Sequence, residues 1–355
     1  MGFCCSNRRF PAFCTVVLVL AVNSAFAENR TVLRTAGTRT ADRSSSTTGK
    51  RDAKSAGKLQ VKVVQRGSSS KAVHKQADSD LPLRRLSSES RGKAKRILES
   101  SSLYRRLPTV SFPSDHQTYQ FFTSFPEVAV SIWRVMKISK CEMWQTGPDT
   151  YEMDAGDGSI GVVEVLYRSR DETMIMCDGL YTSPLLVKPI KASCLICLKS
   201  KFSTDENGRP FVTHHADMYV SFPSNTVEVA AKLISPVSNL LADRNFLEVS
   251  MFLELMSVAM QNQPGWMERV ADRMDGVLPI RKKQILKTTA RVYIESRKRM
   301  ISKSSGQSDV SVNEVLKPLR DASKNPDSSI EELIPIEIGE LVKTAGDNDQ
   351  ERDRR

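Results

Sequence analysis

Between about residues 140 and 222 apolar and polar side chains alternate, and from about 226 to 262 the apolar ones recur every three to four positions. A chain with that change of period sets a sheet against a long helix. The alternating runs span about 140–145, 151–155, 159–168, 172–182, 190–202 and 210–222. Turn chemistry separates them at Gly147-Pro148-Asp149, Gly156-Asp157-Gly158, Ser169-Arg170-Asp171 and Asn207-Gly208. Connections that short require antiparallel neighbours. The Asn-Gly pair in STDENGRP marks the clearest hairpin, and Pro184 and Pro189 bracket the SPLLVKP connection.

Upstream of the runs, Ser114 followed by Gln117 has the form of a capping box, and Pro126 suits the first turn of a helix running to about Ile138. Val128, Ile132, Val135 and Met136 give that helix a face to bury. Downstream, Val227, Ala230, Ala231, Ile234, Val237, Leu240 and Leu241 form an apolar face that Phe252, Leu253, Met256 and Met260 continue, with Pro236 placed to kink or split it. Two helices are expected at about 264–275 and 279–301. The expected fold class is α+β: a curved antiparallel sheet of about six strands packed on a long C-terminal helix.

The formal net charge of +11 is unevenly placed. Lys+Arg against Asp+Glu is 20 to 7 over residues 28–106, 22 to 22 over 107–301, and 8 to 12 over 302–355. The excess thus lies in an arm of 28–106, poor in aromatics and rich in Ser, Thr and Lys, which is expected to be disordered, with Leu59 to Val64 as its one strand-like stretch. Such an arm suits either a tether to anionic membrane or acidic wall polymer, or a solvated spacer. No specific nucleic-acid binding is expected of a neutral core and an arm without base-stacking aromatics. The division expected is a leader over 1–27, the arm over 28–106, an α+β domain over 107–275, a basic amphipathic helix over 276–301 and a mostly disordered acidic tail over 302–355. The basic helix is read as packing its apolar stripe on the domain, with a membrane-surface helix as the alternative.

Arg8 and Arg9, the apolar run from Phe10 to Val22, and Ala25-Phe26-Ala27 have the layout of a secretory signal peptide cut after Ala27. A run that short falls below the ~20 residues of a spanning helix, so export to the periplasm or cell envelope is expected, with an uncut anchor as the alternative. The remaining cysteines are Cys141, Cys177, Cys194 and Cys197. Cys194 and Cys197 form a CxxC, yet on a strand positions i and i+3 face opposite ways and no second CxxC completes a zinc site, so they read as core thiols. DAGDG, with Asp154 and Asp157, reads as a tight turn, being too short for an EF-hand loop. His214 and His215 are adjacent and point apart, and His215 with Asp217 supplies only two ligands of a metal site. Neither metal nor cofactor is expected, and no complete catalytic motif is present.

Three ionisable groups share parity with apolar neighbours: Glu164 with Ile160, Val162 and Leu166; Asp178 with Met174, Met176 and Leu180; His214 with Val212, Ala216, Met218 and Val220. If all three faced one cavity they would form an acid/base set with shifted pKa values. The competing reading is that the parity slips at a bulge, or that an Arg or a backbone amide satisfies each group.

The order of one helix, about six antiparallel strands and a long helix, with the junction YVSFPSNTVEVAAKLISPVSNLL, is similar to the helix-grip fold of START-like and polyketide-cyclase-like proteins over residues 115–262. The blocks PEVAVSIWRVMKISK, QTGPDTYEMDAGDGS, VEVLYRS, CDGLYTSPLLVKPIKA and SPVSNLLADRNF resemble a family of uncharacterised exported proteins of planctomycete bacteria over 108–275. The first resemblance implies a cavity between sheet and long helix, and the second adds a compartment without an activity. The expected function is therefore binding of an apolar ligand, a lipid or polyketide-like molecule. Its expected contacts are Val163, Val165, Met174, Met176 and Met218 on the strands and Ile234, Val237 and Leu241 on the helix. The alternatives are an enzyme on the same scaffold using Glu164, Asp178 or His214, and an envelope interaction protein acting through its basic arm.

Overall fold

The computed structural model describes residues 59–182, 189–222 and 236–305, together with Ser311. The leader, residues 28–58, Ile234, the side chain of Val237 and nearly all of the acidic tail lie outside the described residues. The fold is α+β, built on one antiparallel sheet.

The six expected strands are present nearly as read: β4 Glu142–Gln145, β5 Thr150–Asp154, β6 Ser159–Arg168, β7 Glu172–Tyr181, β8 Ile190–Thr204 and β9 Pro210–Ser221. They lie side by side in chain order. The β8–β9 hairpin turns at Gly208, whose φ of 70° is cheap only without a side chain. In DAGDG, Asp154 and Asp157 accept backbone N–H bonds from Gly156 and Ser159 at 2.8 and 2.9 Å, so both carboxylates serve the turn.

Three further strands make nine among the described residues: β1 Lys62–Gln65, β2 Ser101–Arg106 and β3 Thr109–Pro113. β2 and β3 pair with successive stretches of one edge of β9, and β1 pairs with β3. Between β1 and β2 stand α1, Lys71–Ser79, and α2, Ser88–Glu99, capped by the hydroxyls of Ser70 and Ser87. The expectation of a disordered arm is therefore corrected from residue 59 onward. The charge argument changes with it, because residues 59–106 bring 12 Lys+Arg and only 4 Asp+Glu into the folded unit.

The physical reason lies in the sheet. Mid-strand residues of β7, β8 and β9 are apolar on both faces, so two covers are required. On one face α1 and α2 bury Ala77, Leu86, Ala94 and Ile97 against Leu166, Met174, Leu195, Cys197 and Tyr219. On the other lies the larger core, formed with α3 His116–Ser124, α4 Pro126–Val135, α5 Pro236–Asn262, α6 Pro264–Arg273 and α7 Pro279–Ser305. Asp115, one place after the expected cap, accepts from Gln117 and Thr118 and starts α3. Pro236 is the first described residue of α5, so the expected kink or split there falls at the edge of the described residues. The basic helix α7 packs against α3, α5 and α6 with Ile285 and Val292 in the core, so it belongs to the same unit as residues 107–275. No helix among the described residues is long and apolar enough to cross a membrane.

Candidate functional site

Under α3, α4 and α5, on the face of the sheet that carries the larger core, lies a chamber of about 110 Å³. Its walls are mainly apolar: Phe122, Trp133, Val163, Val165, Phe252 and Leu253 among them. Tyr119, Thr123, Thr173 and His214 supply the few polar groups. Strand alternation brings Val163 and Val165 to this wall, and helical spacing on α5 brings Phe246, Val249, Phe252 and Leu253.

His214 is buried at the centre of β9 and both ring nitrogens are engaged. Its Nε2 lies 2.8 Å from Ser250 Oγ, and that hydroxyl donates its one proton to the Phe246 carbonyl at 2.8 Å. Nε2 must then carry the imidazole proton, which leaves Nδ1 to accept from the Tyr119 hydroxyl at 3.0 Å. Tyr119 in turn accepts from Ser200 Oγ at 2.6 Å. The chain of four groups is satisfied by a neutral ring. Burial pushes the His214 pKa down to about 3, with His215 adding to the effect, and burial raises that of Tyr119.

The other two ionisable candidates are elsewhere. The parity holds, but residues 160, 162, 164 on β6 and 174, 176, 178 on β7 face away from the chamber. Lys93 of α2 donates to both oxygens of Glu164 at 2.8 and 3.0 Å. Asp178 is exposed and accepts from Ser193 Oγ at 2.5 Å, beside Ile160 and Val162, themselves 49% and 42% exposed. The acid/base set is thus not assembled. Glu164 and Asp178 are each satisfied locally, though by a lysine and a serine hydroxyl rather than by the arginine or backbone amide expected of the competing reading.

The expected contacts divide in the same way. Val163 and Val165 line the chamber, whereas Met174 and Met176 pack beneath α2 on the opposite face. Met218 is in the larger core but not on the chamber wall, and Leu241 is half-buried outside it. Sequence reasoning missed Tyr119, Thr123 and Phe122 on α3, although QTYQFF carries aromatics at helical spacing. Cys194 and Cys197 are buried on opposite faces, as their spacing predicts, and Cys177 stands directly across from Cys194. Burial raises the pKa of Cys141, Cys177 and Cys197 to about 12, which makes them inert. Asp217, on the face opposite His214, is held by Arg106 rather than by a metal-binding neighbour.

No protein-family model matches the chain, and no curated protein does. Among solved structures it is similar to a conserved protein from Geobacillus kaustophilus, at 10% identity and a TM-score of 0.31, over 42% of this chain and 93% of that one. A likeness that slight carries no argument about fold or function.

Proposed function

We propose that the chain is an exported binding protein that takes a compact apolar ligand in the chamber beneath α3, α4 and α5, in a helix-grip arrangement. The observation that supports this reading is the chamber itself, an unfilled space of about 110 Å³ with almost wholly apolar walls. At ~30 Å³ per water in the liquid, the space equals about four waters, and a methylene is of similar size. The ligand is then a single ring or an acyl chain of about four or five carbons; a longer lipid requires α5 to move outward. Covering roughly 150 Å² of such a ligand at ~25 cal/mol/Å² gives about 4 kcal/mol, or millimolar binding, before ordering costs. The leader pattern supports export, and the basic stretch of 28–58 suits an anionic envelope surface.

Thermal unfolding of the full chain with and without benzene or hexane tests the reading. The midpoint is expected to rise with either ligand, and Ala216→Phe, which fills the chamber from the β9 side, is expected to remove the rise. No shift with any small apolar compound, in a protein that unfolds cooperatively, would end the proposal. The enzyme reading is the weaker one, because only His214 of its three groups borders the chamber and both of its nitrogens are already engaged.

A further inference from the structure

Residues 276–305, which are α7 and the turn before it, carry 9 Lys+Arg and 1 Asp+Glu. Part of that charge is spent inside the protein. Arg281 donates to buried Glu127 at 2.8 Å, Lys282 to the Asp272 carbonyl at 3.1 Å and Arg291 to Gln117 at 3.0 Å, while Arg299 lies 3.7 Å from Asp115. The acid of the segment, Glu295, accepts from the Gln117 side chain at 3.0 and 3.1 Å. Lys283, Lys287 and Lys298 have no hydrogen-bond or ion-pair partner among the described residues, and Lys283 and Lys287 are fully exposed.

Helical phase puts these groups in line. At 3.6 residues per turn, Ile280, Lys283, Lys287, Arg291 and Lys298 fall within a sector of roughly 80°, a row about 27 Å long at 1.5 Å per residue. Ile285 and Val292, the core residues of α7, lie on the far side of the helix, so the row points outward while α7 stays packed. The row ends in an apolar tip. Leu278, Pro279 and Ile280 are exposed in succession, Leu278 by 44% and Ile280 by 50%. The turn that presents them is fixed from beneath: the Asp275 carbonyl accepts from Ser131 at 2.8 Å and from Arg134 at 3.0 Å, and Gly276 adopts a φ of 68°. The acids nearby are Asp275, paired with Arg134, and Asp272, exposed beside Arg273. Adjacent exposed apolar side chains mark an interaction surface more often than a solvated one. A bilayer matches both halves of this surface, offering anionic headgroups to the row and the acyl boundary to the tip. A nucleic acid offers phosphates but nothing that Leu278 and Ile280 could enter.

We propose that α7 docks the folded domain on an anionic bilayer, its outer row of Lys283, Lys287, Arg291 and Lys298 along the headgroups and Leu278 and Ile280 inserted at one end. This surface is formed by the folded domain as it stands, and it is separate from the apolar chamber and from the basic stretch of 28–58. Charge supplies the attraction and the tip supplies the preference for lipid over other polyanions.

Co-sedimentation of the full chain with vesicles is the test, using phosphatidylcholine alone and phosphatidylcholine mixed with phosphatidylglycerol. The chain is expected to sediment with the mixed vesicles and to be released as salt rises. At about fivefold per lysine near an anionic surface, Lys283→Gln combined with Lys287→Gln should weaken that binding more than tenfold. Leu278→Ser combined with Ile280→Ser, also at exposed positions, should weaken it severalfold at unchanged charge. Failure to sediment with mixed vesicles, or equal sedimentation with both kinds, overturns the proposal. Unchanged binding of the lysine variant also overturns it, because the stretch of 28–58 or the leader then carries the attraction. Unchanged binding of the Leu278 and Ile280 variant leaves a charged face without a preference for lipid and overturns the bilayer as its partner.

Discussion

Arg106 grips Asp217 with two parallel hydrogen bonds, Nε to Oδ1 at 2.8 Å and Nη2 to Oδ2 at 2.9 Å, across the pairing of β2 with β9. Tyr104 also donates to Oδ1, at 2.7 Å, and stacks on His74 of α1, so the pair fastens the first helical layer to the central strand. Asp217 is 1% exposed. Removing one partner strands the other in a poorly solvated place, a change that costs about 3–5 kcal/mol where burial is complete.

Arg106→Ala is therefore expected to lower the stability of the fold by about 3 kcal/mol, the lower end of that range because the arginine is partly exposed. Urea unfolding checks this. Limited proteolysis of the same variant should show cuts within residues 66–100 before cuts in β7 or β8. A loss below about 0.5 kcal/mol would mean that α1 and α2 are not fastened through this pair.

Stability should depend on pH through two buried groups of opposite sign. His214 has a folded pKa near 3, below its ordinary value of about 6.5, so acidification through that interval is increasingly unfavourable to the fold. Glu254 of α5 accepts from the backbone N–H of Gln60 at 2.9 and 3.0 Å, and its burial raises its pKa to about 7. The folded state then holds a proton the unfolded chain has released, and stability falls as pH rises from about 4.5 to 7. The two effects oppose each other between about pH 4.5 and 6.5. Glu254→Gln should raise the urea midpoint above pH 7 and leave it nearly unchanged at pH 4. A midpoint that drops at pH 8 in this variant would contradict the sign assigned to Glu254.

Leu253→Ala should enlarge the chamber and cost about 2–5 kcal/mol, because the side chain is buried on its wall. The same variant should accept a larger ring than the natural chamber does. Thermal-shift measurements with benzene and naphthalene would show it as a midpoint rise with naphthalene that the unaltered protein lacks.

Site-resolved thiol labelling should find Cys141, Cys177, Cys194 and Cys197 unreactive until the protein unfolds, since all four are buried. Their modification rates should follow the unfolding rate with one common denaturant dependence. Rapid labelling of Cys197 in native buffer would place α2 away from the sheet.

The six strands β4 to β9 and the helices after them were legible because period and turn residues act locally: Gly156, Gly158 and Gly208 punctuate the strands wherever they stand. The first helical layer was not, because averaging charge over residues 28–106 hid a short amphipathic pattern in SSESRGKAKRILE, where Ala94 and Ile97 are the buried positions. A second signal was present in β8. Leu195 and Cys197 alternate with Cys194 and Ile196, apolar on both parities, which calls for cover on both faces. For the candidate site, parity correctly separated His214 from His215, but it does not say which face carries the chamber. Glu164 and Asp178 were grouped with His214 for that reason.

The pairing of Ser101 with Ser221 joins positions 120 residues apart. At roughly 5–20 residues per second of synthesis, the first helical layer leaves the ribosome about 6 to 24 s before the strand it docks on. In that interval Leu86, Ala94 and Ile97 have no partner surface, and closing so wide a loop is intrinsically slow. Residues 59–106 are thereby left without the surface they dock on until the last strand is made.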